Sequence, residues 1–224
     1  MASDPSTPPL TSAAVDQLGD RLRVGLTVDD LCLLDQFRRE FRESYDTVVS
    51  VVRDDIGLTP SGRPAKSTTA ILDKLKRSTM RLSQMQDVAG CRVVVPDVSN
   101  QNRVVEQLTA LLPSAAFDRR TKPSHGYRAV HVVARPKGRP IEIQVRTELQ
   151  HSWAELSEKS ADAFGAAVKY GGGPKVIRSI LDDMSDLVAR VERLESRTEL
   201  SNEVAELRRN IAAHLIAFLK IVKE

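Results

Sequence analysis

Leu31, Leu34, Phe37, Phe41, Tyr45, Val48 and Val52 recur every three or four positions. That is the spacing of one helical face, and it predicts a long amphipathic helix that Gly57 ends. Thr27 followed by Asp30 supplies its start, a capping box with Asp in place of the usual Glu. Ahead of it, residues 1–24 are rich in Ser, Thr, Pro and Asp, the composition of a flexible N-terminal tail. Pro60, Gly62 and Pro64 then mark a turn-rich link, and a second helix is expected from Thr68 to Ser78 with Ile71, Leu72 and Leu75 facing inward.

The periodicity next shortens. Cys91–Val95 is a β-forming apolar run stopped by Pro96, followed by a helix over residues 100–112 and a short strand over Ala116–Asp118. Beyond the polar loop 119–126, strands Tyr127–Ala134 and Pro140–Arg146 flank Arg135-Pro136-Lys137-Gly138-Arg139, which has hairpin punctuation. In the second strand, alternation sends Glu142, Gln144 and Arg146 to one face while Ile141, Ile143 and Val145 enter the core. Helical periodicity resumes over Glu148–Phe164 and breaks at Gly171–Gly173. Val176, Ile180, Met184, Leu187, Val191 and Leu194 mark a further helix, and Val204, Leu207, Ile211, Leu215, Leu219 and Val222 another. The expected fold is α/β (α+β), a small mixed sheet flanked by helices. The expected organisation is a tail over 1–24, one domain over 25–173 and a C-terminal helical hairpin over 174–224.

Composition adds bounds. A chain of 224 residues, 41% hydrophobic, can bury one good core. The net charge of +3 is too small to imply nucleic acid by bulk electrostatics, so such a partner needs a local patch. Arg119, Arg120, Lys122, Arg128, Arg135, Lys137 and Arg139 are dense enough in sequence to form one. Cys32 and Cys91 show neither metal spacing nor a disulfide framework and read as small apolar fillers, which fits a cytoplasmic protein. No stretch of about 18 apolar residues is present, so no membrane partner is expected.

The candidate chemistry lies in four segments. Lys66 and Lys74 flank a hydroxyl-rich helix start, a setting that suits a polyphosphate through the helix dipole and free N–H groups. Asp87-Val-Ala-Gly-Cys-Arg92 and Glu142-Ile-Gln-Val-Arg146-Thr each bring one carboxylate to neighbouring strands. A hard metal ion uses such a pair to hold a triphosphate. In Gly126-Tyr127-Arg128-Ala-Val-His131, a tyrosine beside a glycine can offer its ring to a base. His125, His131 and His151 fit no zinc pattern, and Trp153 reads as core.

In this order, the four segments resemble the synthetase domain of the RelA/SpoT family, specifically its small single-domain members, over roughly residues 40–170. The resemblance implies a nucleotidyltransferase-like fold that moves the β,γ-pyrophosphate of ATP onto the ribose 3′-hydroxyl of GDP or GTP, giving (p)ppGpp. It implies that Asp87 and Glu142 hold Mg²⁺, with Glu142 also near the attacking hydroxyl. Arg92 would pack on the adenine of ATP, and Lys66 and Lys74 would bind its phosphates. Tyr127 would stack on the acceptor base, with His131, Gln144 and Arg146 lining the site and Arg119, Arg120 and Lys122 as further acceptor ligands.

Three departures from the family pattern are present. Pro64 stands where an arginine usually completes the adenine clamp, and the adjacent Arg63 is the candidate substitute. Ala70 replaces a frequent serine, and Ser157-Glu158 replaces a Glu-His pair on the acceptor side. Too few residues precede the motifs for a His/Asp metal domain, so a synthetase without its own hydrolase is expected. The toxin branch of the family modifies the 3′ end of tRNA, which keeps tRNA and an antitoxin protein as alternative partners. A silent nucleotide-binding regulator is a third reading. Small members commonly assemble through terminal helices, which makes a homo-oligomer the expected state.

Overall fold

The computed structural model describes residues 8–195 and 202–221. Five strands form one mixed sheet in the order β1-β2-β5-β4-β3: β1 Ser61–Arg63, β2 Ala89–Val95, β3 Ser114–Asp118, β4 Val130–Ala134 and β5 Ile141–Thr147. This is the mixed α/β architecture expected, with helices flanking a small sheet. β1 pairs antiparallel with β2 through Ser61↔Arg92, Gly62↔Cys91 and Arg63↔Gly90. β5 buries Ile141, Ile143 and Val145 completely, as its alternation requires. Its last residue, Thr147, is also the N-cap of the following helix: Thr147 Oγ1 accepts from Gln150 N at 3.2 Å, and Gln150 Oε1 accepts from Thr147 N at 3.1 Å. No linker separates strand from helix.

Contacts divide the chain into two compact units. The first holds the chain through Arg92, with Thr109–Ala115 and Val133–Ile143. Residues 12–24, expected to be part of a tail, are helix α1 Ser12–Val24, capped by Thr11 and burying Val15, Leu18 and Leu22. The spacing of those three residues is helical, and their burial outweighs the polar composition. Arg23, in the last turn, donates to Ser78 O at 2.9 Å, Met80 O at 2.6 Å and Leu75 O. The long helix expected from Leu31 to Val52 is broken into α2 Val28–Arg39 and α3 Arg42–Ser50, followed by a π-helical turn over Val51–Asp55. The break falls at Glu40, whose carboxylate pairs with Arg139 and accepts from Leu10 N. The Thr27–Asp30 cap is present: Thr27 Oγ1 accepts from Asp30 N at 3.1 Å and donates to its carboxylate at 2.8 Å. Helix α4 Thr68–Arg77 starts on Ser67 and buries Ile71 and Leu75.

The second unit holds Val93–Leu108, Ala116–Val132 and the chain from Gln144 onward. It contains α5 Val98–Leu111, α6 Glu148–Phe164, α7 Lys175–Glu195 and α8 Asn202–Ile221. The C-terminal helices are therefore not a separate segment from residue 174, because Trp153 and Leu156 share one core with Leu181, Val188, Ile211 and Leu215. Trp153, expected in the core, donates Nε1–H to Leu181 O at 2.8 Å. The buried face of α7 matches the apolar row of the sequence only in part, at Val191 and, partly buried, at Met184 and Leu187. Leu181, Ser185, Val188 and Glu192 point inward, while Val176 and Leu194 are exposed. Val222 lies outside the described residues. Among the described residues, no helix is long and apolar enough to cross a membrane.

Candidate active site

Within the first unit, Asp87 lies two residues before β2 and is gripped by both candidate lysines. Lys66 Nζ meets Oδ2 and Lys74 Nζ meets Oδ1, each at 2.8 Å. Lys66 is placed by its backbone N–H, which donates to Val88 O at 2.7 Å. Lys74 is placed by α4, where its position beside Ile71 and Leu75 sets it at the edge of the buried stripe. Burial pushes the Asp87 carboxyl up, but the hydrogen bonds from Lys66 and Lys74 outweigh it and hold the pKa at about 2.

Gly90 sets how closely β2 and β5 approach beside Glu142. A Cβ built there would stand 2.4 Å from Glu142 O and 3.5 Å from Glu142 Cβ. Only glycine allows β5 to approach so closely, and the Glu142 side chain leaves the sheet on the face of Gly90. Arg63 sits opposite Gly90 in register, its Nη2 donating to Asp87 O at 3.3 Å. Directly paired antiparallel residues share a face, so Arg63, Gly90, Arg92 and Glu142 lie on one face of β1-β2-β5. Arg63 and Arg92 are diagonal neighbours there, about 7–8 Å apart by strand geometry.

This donor set suits Mg²⁺ carried in by a triphosphate. Mg²⁺ typically takes one or two carboxylates, with waters and phosphate oxygens completing the shell. Among the described residues no group of three or more His, Cys, Asp or Glu could form a fuller cage.

Within the second unit, the other candidates gather on Tyr127. Its hydroxyl lies 2.8 Å from His131 Nε2 and accepts from Arg146 Nη2 at 3.1 Å. Arg146 also donates to Gln144 Oε1 at 2.7 Å, and its guanidinium carbon lies 5.1 Å from the Tyr127 ring centre. Arg146 is 3% exposed, yet its Nε and Nη1 have no hydrogen-bond partner. The ring is thus fixed by its hydroxyl as well as by its face, a constraint that alternation alone did not reveal.

The basic run is less open than its sequence suggested. Arg119 and Lys122 are exposed. Arg120, however, pairs with Asp118 at 2.7 Å and donates to Gln101 Oε1 and Asn102 Oδ1. Arg128 is paired with buried Glu192, and Arg139 with Glu40. Ser157 is buried and Glu158 exposed on α6. Cys32, expected as an apolar filler, is exposed, whereas Cys91 is buried and desolvation pushes its thiol up to about 12. Residues that sequence reasoning missed are Glu192 and Ser185, polar groups on the inner face of α7.

Residues 62–162 match the family model described as a region found in RelA / SpoT proteins. An uncharacterized protein of Mycobacterium tuberculosis is 34% identical over 184 residues, covering 76% of this chain and 66% of that protein. The chain thus spans just under two thirds of that relative. A GTP pyrophosphokinase of Bacillus subtilis is 29% identical over 157 residues, covering 63% of this chain and 71% of its own. The small alarmone synthetase 1 of Bacillus subtilis, solved with its product pppGpp, shares the fold with a TM-score of 0.57 at 22% identity. That match covers 72% of this chain and 95% of the synthetase.

Proposed function

We propose that this chain, whose residues 62–162 match the region found in RelA / SpoT proteins, transfers the β,γ-pyrophosphate of ATP to the ribose 3′-hydroxyl of GDP or GTP. The observation that carries this reading is the Lys66–Asp87–Lys74 clamp on the first unit, one strand from Glu142. Two ammonium groups preset at 2.8 Å from a carboxylate are ready to accept phosphate oxygens in its place. Asp87, released from the lysines, and Glu142 would hold Mg²⁺. When bound, Mg²⁺ neutralises developing charge on the phosphates.

Arg63 and Arg92, diagonal on one sheet face, supply the two guanidinium planes of an adenine clamp, and Arg63 thereby replaces the arginine absent at Pro64. Glu142 accepts the proton of the 3′-hydroxyl, a poor nucleophile until it is deprotonated. Tyr127 stacks on the acceptor base, with His131, Gln144 and Arg146 fixing its ring. Phosphoryl chemistry of this kind depends on positioning and charge neutralisation rather than on a covalent intermediate. Arg119 and Lys122 remain exposed for acceptor phosphates.

The test supplies γ-labelled ATP with GDP, GTP or deacylated tRNA in separate reactions. Label on the guanosine nucleotide, lost in Glu142→Gln, is the expected result. Label on tRNA alone overturns the acceptor assignment in favour of toxin-type chemistry, and no transfer to any acceptor overturns the enzyme reading.

A further inference from the structure

Tyr127 is held in place from outside the motif that contains it. On its N-terminal side, Ser185 Oγ donates to Gly126 O at 2.7 Å. Gly126 has φ +82°, and a Cβ there would lie 2.7 Å from the Trp153 ring and 3.2 Å from Ser185 Cβ, so the backbone itself is seated against α6 and α7. On its C-terminal side, Arg128 donates through Nε and Nη2 to Glu192 Oε2 at 2.9 and 2.5 Å. The other Glu192 oxygen accepts from Gln150 Nε2 at 2.6 Å. Ser185 and Glu192 both lie on α7, beyond the residues 62–162 that the family model matches.

A carboxylate 6% exposed on an inward helix face is out of place unless it is paired. Here both of its oxygens are occupied. A buried ion pair adds little net stability compared with an apolar replacement, but removing one partner strands the other charge. Such a pair is therefore better suited to fixing a geometry than to holding the fold together.

We propose that α7 is the positioning element of the acceptor site. Glu192, acting through Arg128, and Ser185, acting through Gly126, fix the backbone on either side of Tyr127 and so aim its ring at the acceptor base. This rests on the reading of Tyr127 as the base platform given above. Neither α7 residue touches the acceptor, so both act on its binding and not on the transfer step.

The test uses the full chain and steady-state kinetics with ATP and GDP varied independently, for Glu192→Gln, Ser185→Ala, Tyr127→Ala and the Glu192→Gln/Tyr127→Ala double variant. A denaturant melt accompanies each. Expected is a rise in acceptor KM of about tenfold for Glu192→Gln and about threefold for Ser185→Ala, with kcat and the ATP KM within about twofold of wild type. A merely structural role would lower active enzyme without moving the acceptor KM. The double variant is expected to match Tyr127→Ala, because the two changes act through one group. Unchanged acceptor KM in both α7 variants, or additive effects in the double variant, overturns the proposal while leaving the base-platform reading intact. An unchanged acceptor KM in Tyr127→Ala instead removes that reading and the proposal with it. Should Glu192→Gln fail to fold, Ser185→Ala decides alone.

Discussion

Replacing Asp87 with asparagine tests the donor clamp by two independent routes. The side chain keeps its shape and loses the charge that Lys66 and Lys74 share. Side-chain exposures of 15% for Asp87, 11% for Lys66 and 29% for Lys74 leave little water to take over that pairing. The carboxyl is held at about 2 against an ordinary 3.8, which at about 1.36 kcal/mol per pH unit corresponds to about 2–3 kcal/mol of stability at neutral pH. For a chain of this size that is a fall in Tm of roughly 5–10 °C, from about 2–4 °C per kcal/mol, so the variant remains folded. The folded-state value is depressed, so the contribution is fully present above the unfolded value, near 3.9, and is lost as pH falls through about 2. The assay is a denaturant melt of wild type and Asp87→Asn across pH, paired with turnover at saturating Mg²⁺. The stability gap should be full at about pH 5 and above, should fall to about half near pH 3 and should close below about pH 2, while turnover is abolished at neutral pH. A gap that does not change with pH would mean the lysines are not balanced by this carboxylate. Near-normal turnover would refute the two-carboxylate site.

Glu142→Gln should abolish transfer and also weaken ATP binding, measured by calorimetry with Mg²⁺ present, because it removes one of the two carboxylates that would hold the ion. Tyr127→Ala should weaken use of the acceptor by roughly ten- to a hundredfold, as expected from base stacking of about 1–3 kcal/mol. Tyr127→Phe should fall between Ala and wild type, since it removes the bond to Arg146 and the contact with His131, and acceptor KM distinguishes the three. Gly90→Ala should lower stability by about 1–3 kcal/mol in a denaturant melt, because its Cβ meets the backbone carbonyl of Glu142 and not a movable side chain. Deleting residues 175–224 should give aggregation on size-exclusion chromatography rather than a folded monomer, because Leu181, Val188, Ile211 and Leu215 complete the core around Trp153.

Much of this was legible in the sequence where one physical signal acted alone. The Thr27–Asp30 cap, the bounds Glu148–Phe164 of α6 and the burial of Ile141, Ile143 and Val145 follow from local chemistry and periodicity. The Lys66–Asp87–Lys74 grouping was available only through the family resemblance, since no spacing rule joins residues 21 and 13 positions apart. The break in the long helix carries no Gly or Pro signal; its Glu40 is engaged by Arg139, 99 positions away. The apolar row on α7 was only partly right: Val191 is buried and Met184 and Leu187 pack against the core, but Ser185 and Glu192 are polar and owe their burial to partners a hydrophobic pattern does not register.

The direct passage from β5 into α6 has a consequence for how this sequence can change over time. Thr147 closes the strand and opens the helix, so no residue between them is available to absorb an insertion or deletion. One added residue at that point would turn α6 by about 100° about its axis, at about 3.6 residues per turn, carrying Gln150 away from Gln101 and Glu192. One removed from within β5 would exchange the places of Glu142 and Ile143. Residues 141–156 should therefore behave as an ungapped block in any set of aligned relatives. Length variation should be confined to exposed turns such as Arg135–Arg139, where the chain can lengthen without changing the phase of the downstream strand and helix.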